Sequence, residues 1–105
     1  MEISIPVADD SLAEVAQIER GERAIVRVAR NAEIGDIVYR QFHFQEVGEF
    51  LKVAGRRKGL LVLESLADGI GGTCVPWRCT VFGVVIGGDA FADFEEIPLA
   101  QSLAA

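Results

Sequence analysis

The chain has 105 residues, half of them apolar, and a formal net charge of −6. That length makes one domain with room for a modest core. The acidic balance argues against a nucleic-acid surface, which needs clustered Lys and Arg to release counterions, and no apolar run approaches the ~18 residues of a membrane span.

There are 11 glycines and 3 prolines, and the apolar runs are short and rich in Val and Ile. This predicts many short strands rather than long helices. Cys74, Cys79 and the single His43 are too few and too scattered for a disulfide framework or a zinc site. Both thiols are therefore expected reduced, with no metal or cofactor. No charged segment leads into an apolar one at the start, so no secretory signal is expected and the default location is cytoplasmic.

Residues 2–8 alternate Ile3, Ile5 and Val7 against Glu2, Ser4 and Pro6, a half-buried strand whose proline suggests an edge. After the polar break Asp9-Asp10-Ser11, residues 11–20 put Leu12, Val15, Ala16 and Glu19 on one helical face. Ser11 with Glu14 fits a capping box, worth ~1 kcal/mol, and Gly21 is placed to close the helix. Gly21-Glu22 and Gly35-Asp36 are two Gly-acid pairs, each followed by a β-branched run, which reads as turn, strand, turn, strand. The strands are expected at 23–29 and 36–44. Phe42 and Phe44 then lie on one side of the second strand, and Gln41, His43 and Gln45 on the other.

Glu46-Val47-Gly48 is expected to turn into a strand at 49–54. The basic tip 55–59 follows, read as a solvated turn, and then a buried strand at 60–64. Residues 65–73, with Gly69, Gly71 and Gly72, are expected to be a loop without the ending of a phosphate-binding motif. Val75-Pro76-Trp77 reads as extended. Residues 80–86 form a buried strand with Gly83 as a bulge or close-packing point, and Gly87-Gly88-Asp89 ends it. Residues 1–88 thus form a single domain, and 89–105 an acidic C-terminal arm or tail. The class is mostly β: a small barrel or sandwich of about seven short strands, with one short helix or turn near 11–20.

The order Asp10-Ser11-Leu12, Gly21-Glu22, Ala24-Ile25-Val26, Gly35-Asp36-Ile37-Val38, Gly48-Glu49-Phe50, Lys52 and Val81-Phe82-Gly83-Val84-Val85 resembles the C-terminal peptidase domain of the LexA, UmuD and phage-repressor family. The resemblance spans roughly residues 3–87. It implies a mostly β fold and a Ser-Lys dyad, with Ser11 as nucleophile and Lys52 as general base. A serine needs a neighbour to take its proton, and a lysine does so only when burial lowers its pKa. The apolar neighbours Phe50, Leu51, Val53 and Ala54 suit such burial, and the turn at Ser11 offers backbone N–H donors for an oxyanion.

The chain departs from the family at Leu12 (usually Met), Glu22 (usually Asp) and Val53 (commonly Arg after the lysine). It starts about ten residues before Ser11, so neither a scissile segment nor a DNA-binding domain is expected, and hence neither self-cleavage in cis nor direct nucleic-acid binding. The function these features imply is a stand-alone, degenerate LexA/UmuD-like module for dimerisation or partner binding, linked to phage-repressor or SOS-type regulation. The alternatives are an active Ser-Lys peptidase acting in trans and an unrelated small β binding protein. The expected partner is a protein or a second copy, with strand 80–86 and the loop before it as a dimer surface.

Overall fold

The computed structural model describes residues 1–66, 69 and 71–89. Its strands are β1 (Glu2–Pro6), β2 (Arg23–Val28), β3 (Ile37–Gln41), β4 (Glu49–Arg57), β5 (Leu60–Ser65), β6 (Gly71–Cys74) and β7 (Val81–Asp89). One helical turn, α1 (Ala13–Ala16), and one 3-10 turn, Pro76–Arg78, complete the described elements. All pairings are antiparallel, and the strands form a single sheet in the order β1-β2-β7-β3-β4-β5-β6. The expected mostly β class with seven short strands is what the chain adopts. β1, with Pro6, is an edge, where a residue lacking an N–H is tolerated.

The sheet buries side chains on both faces. Alternation sends Val38, Leu51 and Val84 into one cluster, together with Val53, Leu61, Leu63, Cys74 and Phe82. Their chain neighbours Ile37, Phe50 and Val85 pack against the other, built on Val7, Leu12, Ile18 and Ala24. Adjacent strand residues point to opposite faces, so the segment that leaves β1 and passes through α1 covers the second face. Leu12 and Ile18 are fully buried there, at 0% and 1% exposure.

The two Gly-acid pairs are turns of the same construction, although the sequence shows no internal repeat. In the first, Glu22 N–H donates to the Glu19 carbonyl (3.0 Å) and Glu19 N–H donates back to the Glu22 carboxylate (2.9 Å). In the second, Asp36 N–H donates to the Glu33 carbonyl (3.0 Å) and Glu33 N–H to the Asp36 carboxylate (2.8 Å). The third residue of each, Gly21 or Gly35, has φ of +92° or +97°, a conformation that excludes most side chains. Both turns also dock alike on a neighbouring strand. Gly21 N–H and Val7 N–H exchange bonds with the Val7 and Glu22 carbonyls, and Gly35 N–H and Val53 N–H with those of Val53 and Asp36. The acid therefore closes the turn, and its backbone continues the ladder.

Several expected boundaries move. The helix at 11–20 is a single turn, because Gln17 turns left-handed (φ 57°) and Ile18 N–H returns to the Leu12 carbonyl that already accepts Ala16 N–H. Gly21 belongs to the next turn and does not cap it. β3 stops at Gln41, and Phe42 to Gln45 form a turn closed by Gln45 N–H on the Phe42 carbonyl (3.0 Å). His43 is exposed and lies in that turn rather than in a strand.

β4 runs on to Arg57, with an extra residue at Ala54 in its pairing with β5, so the basic tip shrinks to Lys58-Gly59. Arg56 reaches back to the Ala32 carbonyl (2.7 Å) and the Asn31 side chain (3.1 Å), a tether rather than a free solvated charge. β5 alternates buried and part-exposed residues one strand in from the edge. The stretch expected to be a loop ends in edge strand β6, and Val75-Pro76-Trp77 leads into a 3-10 turn instead of running extended.

β7 continues through Gly87 and Gly88 to Asp89, with Ile86 as the extra residue opposite Ile25/Val26. Gly83 is the close-packing point: a Cβ there would lie 2.5 Å from both the Arg27 carbonyl oxygen and Val26 Cγ1. The expected acidic arm 89–105 lies, beyond Asp89, outside the described residues.

Candidate functional site

Ser11 lines a cleft of about 230 Å³ between the end of β1 and the start of β4. Ile5, Pro6, Ala8, Asp9 and Ser11 form one wall, Tyr39 and Val47 to Phe50 the other, and Ser65 and Leu66 close it. Small-molecule sites are usually ~300–1,000 Å³, so this volume suits a side chain or two of a partner better than a free metabolite.

Asp9 positions Ser11. Ser11 N–H donates to Asp9 Oδ1 at 3.0 Å. The Ser11 hydroxyl hydrogen bond, followed by the backbone one, holds the Asp9 carboxyl below its ordinary 3.8, with burial acting weakly the other way and Arg20 assisting. This is an Asx-type turn, in which a short carboxylate satisfies the backbone two residues on. The expected Ser11–Glu14 capping box does not form, since α1 carries no side-chain cap. Arg20 braces the same turn through an exposed ion pair with Asp10 (3.1 Å), a contact worth about 0–1 kcal/mol.

The opposite wall hangs on Tyr39, which is buried. Its hydroxyl accepts the Gly48 N–H at 2.9 Å and donates to Gln41 Oε1 at 3.1 Å. Its ring packs against Phe50 with centroids 5.1 Å apart. Gly48 fits under this ring because a Cβ would meet the Arg40 carbonyl and the Tyr39 ring. Gln41 Nε2 then ties down the Gln45 and Glu46 carbonyls, which fixes the hairpin tip. The tip presents Phe44 and Val47 to solvent, 73% and 72% exposed. Phe44 stacks on Phe42 at 5.4 Å, and Arg40 lies 4.8 Å over Phe42 while pairing with Glu49 at 2.8 Å.

Lys52 is not part of the cleft lining. It is exposed on β4, opposite Ile37 of β3 and Glu64 of β5. Strand alternation gives it the face of Phe50, the face that the Ser11 segment covers. Glu64 is its backbone register partner on β5. Ser11 and Ala13 both spend their N–H groups inside the turn, on the Asp9 side chain and the Asp10 carbonyl, so neither points free as an oxyanion donor.

Residues that the sequence did not single out complete the site: Asp9, Tyr39, Ser65 and the Phe44/Val47 tip. Asp9 two residues before Ser11 was a readable Asx-turn signal. Tyr39 and Gly48 come together only through hairpin register. Among the described residues no three His, Cys, Asp or Glu side chains gather to hold a metal ion, and no helix is long and apolar enough to cross a membrane. No protein-family model matches the chain, and no curated protein does so at a significant level.

Proposed function

We propose that the chain is a LexA/UmuD-like domain that serves as a dimerisation or partner-binding module in repressor or SOS-type regulation, without a working dyad. The observation that carries this reading is the split environment of the two dyad residues: Ser11 lines the cleft, and Lys52 stands exposed outside its lining. A lysine base must be shielded from water. The group that does reach the Ser11 hydroxyl is the Asp9 carboxylate, whose lowered pKa makes it a weak base.

Binding is supported by the cleft's apolar lining beside the protruding Phe44 and Val47. Exposed apolar groups flanking a concave site are the usual anchors of a protein partner. β7 is paired on both edges with β2 and β3 and buries Phe82 and Val84, so strand 80–86 offers a second copy no free strand edge. The partner face is therefore the hairpin tip and cleft. Sedimentation velocity over a concentration series tests it: self-association is expected, and the double variant Phe44→Ser/Val47→Ser is expected to abolish it. A wild type that is monomeric throughout would rule out the homodimer.

A second reading, a Ser-Lys peptidase acting in trans, draws on one observation: Lys52 shares the strand face of Phe50, which lines the cleft. A partner that covered Lys52 would desolvate it and bring it towards Ser11. Fluorophosphonate labelling of Ser11 distinguishes this reading from the first.

A further inference from the structure

Cys74 ends edge strand β6, and Cys79 follows the 3-10 turn that leads to β7 in the middle of the sheet. Their sulfurs lie 3.8 Å apart, in contact, and both are free thiols. The turn sets this distance: Arg78 N–H donates to the Val75 carbonyl (3.0 Å) and Cys79 N–H to the Pro76 carbonyl (3.1 Å), which folds the four intervening residues into one tight loop. A disulfide needs an S–S distance of ~2.05 Å, which side-chain rotation can supply from contact. The two thiols differ in access. Cys74 is buried in the main cluster. Cys79 is half-buried and lines a cleft of about 140 Å³ with Val28, Ala29, Arg30, Pro76, Thr80 and Phe82.

We propose that Cys74 and Cys79 form a reversible dithiol–disulfide site, oxidised by small-molecule disulfides that enter the Cys79 cleft, and that the bond fastens edge strand β6 to the start of β7. The Cys79 thiolate attacks one sulfur of the small disulfide and expels the other half as a thiolate. Cys74 then gives up its proton, and its sulfur attacks the Cys79 sulfur and expels the second half. Two protein thiols become one disulfide, one small disulfide becomes two small thiols, and the two protons pass to those thiols. Cys79 is the first to react because burial, and then the neighbouring Cys79, push the Cys74 thiol up to about 12. Arg30, exposed at the cleft, suits a carboxylate-bearing oxidant such as glutathione disulfide. Simple core packing accounts for Cys74 alone. It does not account for a second thiol in contact with it that is open to a surface cleft.

The test uses the folded full-length chain incubated with glutathione disulfide, then denatured, alkylated and weighed intact. The chain contains only two cysteines, so a monomer lighter by two hydrogens that takes up no alkylating agent, and regains both sites after reduction, is the expected product. In Cys74→Ser the first step has no second, and a lasting glutathione adduct on Cys79 is expected. A wild-type chain that keeps both thiols alkylatable, or that keeps the glutathione adduct instead of releasing it, would overturn the proposal. The wild-type arm decides the matter even if the variant folds poorly.

Discussion

Replacing Tyr39 by Phe removes one oxygen and keeps the ring, so it isolates the polar clasp that shapes the cleft. The hydroxyl is bonded twice, to the Gly48 N–H and to Gln41 Oε1. Gln41 keeps its donor bonds to the Gln45 and Glu46 carbonyls and is half-buried, so its lost acceptor contact is mild. The part-buried Gly48 N–H lies under the ring with no replacement partner, and a donor left unpaired away from water costs ~1–3 kcal/mol. With the ring still packed on Phe50, the expected total is roughly 1–3 kcal/mol. For a domain of this size that is a fall in Tm of about 5–15 °C. Urea unfolding gives the stability change, and hydrogen exchange at the Gly48 amide reports the clasp itself. A variant within ~0.3 kcal/mol of wild type, well below the cost of one lost hydrogen bond, with unchanged Gly48 exchange would refute this account of the wall.

Three further outcomes follow from the geometry. On β7, Gly83→Ala places its Cβ against the Arg27 backbone, while Gly87→Ala meets nothing within 4 Å. Denaturant midpoints should therefore show a loss of about 2–3 kcal/mol for the first, in the range of overpacked sites, and at most ~0.5 kcal/mol for the second. Gly35→Ala has open space but a φ of +97°, so a cost of ~1–2 kcal/mol from backbone strain alone is expected in the same assay. Asp9 has a folded-state pKa below its ordinary 3.8. Its contribution to stability is thus present above that value and is lost as pH falls through the lowered one. An NMR titration should show the Ser11 amide shift following this carboxyl, and Asp9→Asn should remove that titration.

Alternation made the first half of the sheet legible. Ile3 and Ile5 face inward from an edge strand, and Ala24 and Val26 are wholly buried. The Gly-acid pairs were legible as turns because positive φ and a short capping carboxylate are local requirements. What sequence could not show is that both turns dock on neighbouring strands by the same pair of hydrogen bonds, since Val7 and Val53 are partners supplied by the fold.

Local patterns misled where two physical solutions share one pattern. Phe42-His43-Phe44 alternates like a strand, but stacking of Phe42 on Phe44 holds a turn. Ser11 and Glu14 have capping-box spacing, but Asp9 is nearer to the Ser11 N–H and takes it. Gly71 to Cys74 has no side-chain period, so nothing marked it as a strand; its register with Glu64 to Leu61 comes from backbone pairing, with Gly71 pressed against the Leu63 carbonyl. For the site, the polar break Asp9-Asp10-Ser11 was legible, and in the structure Ser11 lines the cleft. Its true neighbours were hidden because they come from a hairpin more than twenty-five residues away in the chain.

The central claim is that Ser11 belongs to a binding cleft and not to a working Ser-Lys dyad. The most direct measurement is fluorophosphonate labelling of the purified chain across an alkaline pH series, read by intact mass. The account predicts no adduct on Ser11 at any pH. A stoichiometric adduct on Ser11 that disappears in Lys52→Ala would contradict it and establish the dyad.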